Sequence, residues 1–302
     1  MFKKILFPID CSLHSNTILE CIPYLRRAGM EEIILVHVID PAEAFLWANV
    51  EETIADMKKK AEDKMEEIIS EILSPPAGIK GKAITAVGLP YQVILKTAKE
   101  EKASLIVMGS HGRSFTEGAI LGSVTNSIIR KTNIPVVIAK IIFIERDGER
   151  KPVCIGMKNI FRKVLYPTDF SAYSTSVLQL ITRLEKAGIE EVVVVHIQDT
   201  RKLFPHLKHR MEEFNRIDSE RLAKIRDRLE AFGCKVTTIL KAGVPFVEIN
   251  KIAEMEDVSL IMLSSQGKSA VKEALMGSVS ESVARDHIRP VMIIPKNWKM
   301  VD

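Results

Sequence analysis

The sequence predicts an α/β protein of two tandem doubly wound domains, each a five-stranded parallel sheet flanked by helices. Three observations predict it: the chain repeats itself, each copy alternates apolar runs with amphipathic stretches, and the length suits two domains. Its 302 residues divide into halves of about 150, a size at which each can bury its own core. The opening Lys4-Ile-Leu-Phe-Pro-Ile-Asp10-Cys-Ser12 returns as Lys163-Val-Leu-Tyr-Pro-Thr-Asp169-Phe-Ser171. Val36-His37-Val38 returns as Val195-His196-Ile197, and Gly88-Leu-Pro90 as Gly243-Val-Pro245. Gly112, Gly122-Ser123 and Pro135 return as Gly267, Gly277-Ser278 and Pro290. The offset between copies differs between their front and rear halves, as when a surface loop changes length.

In the first copy, residues 5–9 form a continuous apolar run, the pattern of a buried strand. Ser12 is placed to cap a helix that the pattern carries to residue 27. Residues 33–39 read as the second strand, and 51–73 as a long charged helix stopped by Pro75-Pro76. The third strand covers 79–87. Pro90 opens a helix that runs to about residue 101. Residues 104–108 are the fourth strand, followed by a glycine-rich turn, a helix over 119–131 and a last strand at 136–139. The second copy gives the same order and ends in a strand at 291–294. Such alternation implies parallel strands joined by right-handed crossovers, with ligands at the carboxyl ends where strand order reverses. The domains are expected at 1–140 and 163–302. The connector, 141–162, carries Asp147-Gly148 between apolar runs, the signal of a short hairpin.

Composition excludes several classes. Hydrophobic residues at 46% and charged residues at 27% are ordinary for a globular protein. A formal charge of +4, with Lys and Arg scattered among Glu and Asp, gives no basic stripe for nucleic acid or membrane surfaces. Charged runs such as 51–71 and 208–228 read as solvated helix faces. No apolar run approaches the ~18–20 residues of a spanning helix. Four cysteines without a CxxC pair, and no leader before the first strand, point to a reducing, cytoplasmic setting.

The stretch richest in chemistry is Gly109-Ser-His-Gly112, then nine residues, then Gly122-Ser123. Glycines directly after a buried strand let the backbone turn and approach a ligand. Gly122-Ser123-Val124-Thr125 falls at the start of the next helix, where free N–H groups and the helix dipole favour an anion. Ser123 and Thr125 add hydroxyls, so the whole reads as a phosphate cradle. Asp10, at the end of the first strand, accepts ligand hydrogen bonds or works with Ser12 as a helix cap. Its repetition as Asp169 favours the site. His37 and His196 recur within strands as packed or backbone-bonded residues. His206-x-x-His209 reads as an exposed helix face rather than half a metal site. Gly267-Lys268-Ser269 is no Walker A loop, since Met262 stands where its first glycine belongs.

The spacing Gly-x2-Gly-x9-Gly-Ser, with Ile-Leu-Phe-Pro-Ile-Asp in the first strand and Val-His-Val-Ile-Asp in the second, resembles the universal stress protein family. The resemblance covers both copies. It implies the adenine nucleotide alpha hydrolase-like form of the doubly wound sheet and, in the family's ATP-binding branch, a bound adenine nucleotide: ATP, ADP or AMP, with Mg beside the phosphates. Carried over by position, Pro8 and Asp10 lie against the adenosine, and the backbone at Val38 reads the adenine edge. Met108, Gly109, His111 and Gly112 line ribose and phosphates, and Gly122, Ser123, Val124 and Thr125 hold the phosphate tail. Arg113 either joins them or is an exposed loop cation.

The second copy departs from this pattern. Its positions are Pro167, Asp169, Ile197, Leu263, Ser264, Gln266, Gly267, Gly277, Ser278, Val279 and Ser280. Ser264 replaces the first glycine, and its Cβ makes any left-handed backbone costly there. The resemblance implies a stress-response regulatory protein. The last strands of the two copies are expected to pair as an internal pseudo-dimer, and two chains to associate as a homodimer. Two other functions stay open: a slow ATP hydrolase or phosphotransferase, for which His111 is the sole candidate base, and a scaffold that binds no nucleotide.

Overall fold

Continuous apolar runs bounded by charge and glycine form the strands, and amphipathic stretches with proline or serine at their starts form the helices. The computed structural model describes residues 1–44, 50–72, 79–110, 121–146, 148–184, 187–267 and 276–298. Two compact units divide the chain, Met1–Ile155 and Gly156–Asp302.

The first unit runs β1 (Lys4–Pro8), α1 (Leu13–Leu19), β2 (Glu32–Ile39), α2 (Pro41–Ala44), α3 (Val50–Ile72), β3 (Lys80–Val87), α4 (Pro90–Glu100), β4 (Leu105–Gly109), α5 (Ser123–Lys131), β5 (Val136–Arg146) and β6 (Glu149–Ile155). Strands lie in the order β3-β2-β1-β4-β5, all parallel, with β6 antiparallel on β5. Strand order turns at β1, so a crevice opens beyond the carboxyl ends of β1 and β4. Ile5, Leu6 and Phe7 of β1 are wholly buried, as are Leu105, Ile106 and Val107 of β4. Burial of each such side chain contributes about 1.5–3 kcal/mol, which anchors the two strands that flank the switch point.

Three expectations shift. The helix drawn from Ser12 to residue 27 stops at Leu19, and a 3-10 turn over Ile22–Ala28 replaces its second half. Pro23 is the reason: it has no N–H to give and its ring collides with the carbonyl of Leu19. No proline stands there in the second copy, and the equivalent helix runs unbroken for 12 residues. The last strand does not end at Ala139. Val136–Ala139 pair with β4, and Lys140–Arg146 continue as one arm of the expected hairpin, matched from Lys140↔Ile155 to Arg146↔Glu149. Gly148 supplies the left-handed backbone of its turn, φ +75°. The helix drawn from residue 119 likewise starts later, at Ser123 behind its N-cap Gly122, while the Pro75-Pro76 stop and Asp147 lie outside the described residues.

The second unit repeats the plan: β7 (Lys163–Pro167), α6 (Ala172–Arg183), β8 (Glu191–Asp199), α7 (Thr200–Leu207), α8 (Met211–Glu230), β9 (Lys235–Gly243), α9 (Pro245–Met255), β10 (Leu260–Ser264), α10 (Ser278–Asp286) and β11 (Val291–Ile294). Its parallel strands take the order β9-β8-β7-β10-β11.

At the amino ends of β7 and β8, far from the crevice, Lys163 Nζ lies 2.8 Å from Glu256 Oε2 and 3.5 Å from Glu191 Oε1. Burial pushes the Glu191 carboxyl up, but Lys163 and Lys235 outweigh it and hold the group below the usual carboxylate range. A carboxyl lowered by folding stabilises the native state above its unfolded pKa and loses that contribution as pH falls through its folded value. Glu191→Gln is therefore expected to cost about 1 kcal/mol at pH 7. It should also flatten the decline of the urea midpoint between about pH 5 and pH 3. An unchanged acid limb would show that the pair contributes nothing.

Candidate functional site

The residues singled out by sequence gather where the topology opens the crevice. After β1, Cys11 adopts a left-handed backbone at φ +57°, and after β7 Phe170 does the same at +59°. This turns each preceding aspartate back onto the start of the next helix. Asp10 Oδ1 accepts from the Ser12 N–H at 3.0 Å and the Ser15 hydroxyl at 2.8 Å, while Ser12 Oγ caps α1 by accepting from the Ser15 N–H. Asp169 Oδ1 accepts from the Ser171 N–H at 3.0 Å, and Ser171 caps α6. The capping role that sequence reading set second for Asp10 is thus real, and it fixes the carboxylate at the crevice. In the second unit the other oxygen meets the glycine loop: a Cβ built on Gly267 would stand 2.6 Å from Asp169 Oδ2. The glycine of that motif leaves room for an aspartate.

His37 and His196 are backbone-bonded, as expected. Each Nδ1 donates to a carbonyl past the neighbouring strand's end, Ile9 at 2.9 Å and Thr168 at 2.7 Å. Val38, Pro8, Pro167 and Asp169 line the same edge, half-buried, and Ile197 and Leu263 are buried there.

Across the crevice, β4 ends at Gly109 and β10 at Ser264. Gly122 and Gly277 are the N-caps of α5 and α10, with φ −53° and −63° and no side-chain cap. Their N–H groups close the intervening loops by donating to Ser110 at 2.9 Å and Ser265 at 2.8 Å. Ser123 and Ser278 are exposed just inside the helix starts, and Val124 and Val279 are half-buried beside them. The backbone N–H groups of this first turn are the orphan donors of a helix start.

One expectation is corrected. Gly109 and Ser264 both sit in extended strands outside the left-handed region, so the serine strains no backbone. The Ser264 hydroxyl is donated to the Gln266 carbonyl, and Gln266 is buried. The hydroxyls of Thr125 and Ser280 are donated to the carbonyls of Gly109 at 3.0 Å and Ser264 at 2.8 Å, fastening helix to strand. His111, Gly112, Arg113 and Lys268 lie outside the described residues.

Sequence reading missed one cluster in the second unit. The Phe170 ring packs on the His196 imidazole with centroids 4.4 Å apart, and the Arg221 guanidinium covers Phe170 at 5.3 Å. Asp218 accepts from Gln198 at 3.0 Å and Arg221 at 3.2 Å, with His196 Nε2 at 3.6 Å. Asp218 is buried, although its charged run reads as a solvated face. Its one sequence signal was the change of Cys11 to Phe170 in the repeat.

Comparison with known proteins decides the family. The model of the universal stress protein family matches residues 1–140 and again 160–295. The chain belongs to the universal stress protein family. A universal stress protein of Methanocaldococcus jannaschii is 38% identical over 157 residues, covering 46% of this chain and 96% of the relative. One of Mycolicibacterium smegmatis aligns over 301 residues at 22% identity, covering 96% of each chain. The crystal structure of a universal stress protein from Archaeoglobus fulgidus superposes with a TM-score of 0.72 at 26% identity, covering 97% of this chain and 96% of that one. The last two match this chain along both copies, whereas the Methanocaldococcus jannaschii relative matches a single copy over nearly its whole length. Among the described residues of this universal stress protein, no helix is long and apolar enough to cross a membrane, and no group of three or more His, Cys, Asp or Glu is placed to hold a metal.

Proposed function

We propose that this universal stress protein is a nucleotide-responsive regulator, binding an adenine nucleotide, ATP foremost, in the crevice of its first unit. The observation that carries this reading is the start of α5. A glycine N-cap leaves the first-turn N–H groups without a side-chain cap, in a helix fastened to the carboxyl end of β4 through Thr125 and Gly109. Those donors suit a phosphate chain, and a carboxylate held at Asp10 suits ribose hydroxyls. Bound phosphates would bring Mg with them, held largely by the nucleotide's own oxygens and water.

The test is calorimetric titration with ATP, ADP and AMP, after bound nucleotide has been stripped and identified by mass. Asp10→Asn keeps an oxygen to accept from Ser12 and Ser15 but loses the charge. It is expected to retain the fold and weaken ATP binding about tenfold, the worth of one charge-assisted hydrogen bond. Unchanged affinity would move the site away from Asp10. No heat and no bound nucleotide would leave the scaffold reading.

A further inference from the structure

Cys21 and Cys154 stand far apart in sequence, and neither takes part in the crevice. Cys21 follows α1, and Cys154 lies near the end of β6. Helix α1 rests on the β5–β6 hairpin: the His14 ring meets Phe143 edge-on with centroids 5.6 Å apart. Phe143 is registered with Pro152, and Ile141 with Cys154. Residues two apart on a strand share a face, so Cys154 is on the face that carries Phe143 and receives α1. The helix enters at His14 and leaves at Cys21, and there the Cys21 and Cys154 side chains face each other. Both residues are free thiols and only half-buried, within reach of a small oxidant.

We propose that Cys21 and Cys154 form an oxidation site, in which a two-electron oxidant such as a peroxide converts the pair into an intrachain disulfide that staples α1 to the hairpin. A hydrogen bond with Cys154 holds the Cys21 thiol below the ordinary thiol range. The same bond, with burial, pushes Cys154 up. In the proposed sequence Cys21 is the attacking thiol. Its thiolate attacks one peroxide oxygen, breaking the O–O bond and giving Cys21 sulfenic acid and hydroxide, which takes up a proton as water. The Cys154 sulfur then attacks the Cys21 sulfur. The S–O bond breaks, the Cys154 proton leaves with the departing oxygen as a second water, and the S–S bond forms. Two thiols are oxidised and one peroxide is reduced. Cys11 precedes α1 against His37, and Cys234 is buried at the head of β9, so neither replaces Cys154.

The test treats the native full-length chain with hydrogen peroxide and maps it unreduced by mass spectrometry. Expected are a loss of two hydrogens, a linked peptide pair containing Cys21 and Cys154, and a higher urea midpoint that dithiothreitol reverses. In Cys154→Ser the second step is blocked, so Cys21 sulfenic acid should accumulate and be trapped by dimedone. In Cys21→Ser, Cys154 should remain a thiol. A treated native chain in which both cysteines still alkylate, or in which Cys21 links elsewhere, overturns the proposal. So does oxidation that begins at Cys154.

Discussion

Gly267→Ala is expected to destabilise the second unit by about 2–3 kcal/mol, although alanine suits the backbone there. Gly267 lies outside the left-handed region, so the cost is not conformational. The new methyl would stand 2.6 Å from Asp169 Oδ2 and 3.5 Å from its carboxyl carbon. Asp169 cannot yield freely, because its other oxygen accepts from Ser171 at the start of α6. Either the loop after β10 withdraws or the carboxylate turns and the helix start loses an acceptor. A double-mutant cycle separates this from general overpacking. In an Asp169→Ala background the obstacle is gone, and the same glycine change is expected to cost less than about 0.5 kcal/mol. Equal costs in both backgrounds, read from urea unfolding, would show that the carboxylate is not what the glycine accommodates. Gly112 and Asp10 hold the same motif positions in the first copy. In the second unit the aspartate and the motif glycine form one device, and a substitution at either is best read as a change to both.

The strands, their order of appearance and the crevice were legible because a doubled sequence states its pattern twice. Asp10 is the clearest case: its recurrence as Asp169 marked it before any contact was known. Three things were not legible, each for a physical reason. Pro23 ends α1 early, but the amphipathic pattern continues through the 3-10 turn, since Ile22, Leu25 and Ala28 are buried there too. Thr125 and Ser280 stand at the helix positions where hydroxyls meet phosphates. Only geometry shows their hydrogens going to the strand before the loop. The Arg221–Phe170–His196 stack and the Cys21–Cys154 pair join segments far apart in the chain, and no spacing rule reaches across a fold.

Gly156→Ala is expected to cost about 3–4 kcal/mol, from two sources that can be measured apart. The first is conformational: Gly156 follows β6 with φ +73°, and a residue with a Cβ costs about 1–2 kcal/mol in that region. The second is steric: its Cβ would lie 2.8 Å from Pro290 Cδ and 3.2 Å from the Ser259 carbonyl. Neither neighbour can give way. The proline ring is rigid and precedes β11, and Ser259 is tied through its hydroxyl to the carbonyls of Ile160 and Lys163 at 2.9 Å. Gly233 provides the control, with φ +82° and nothing within 4 Å of a built Cβ. Gly233→Ala should therefore show the conformational part alone, about 1–2 kcal/mol. Gly156→Asn tests the other half. Asparagine tolerates the left-handed backbone but brings the same Cβ, so most of the loss should remain. If Gly156→Asn were nearly neutral in urea unfolding, Pro290 and Ser259 would have to move aside. The turn entering the second unit would then be softer than its contacts imply.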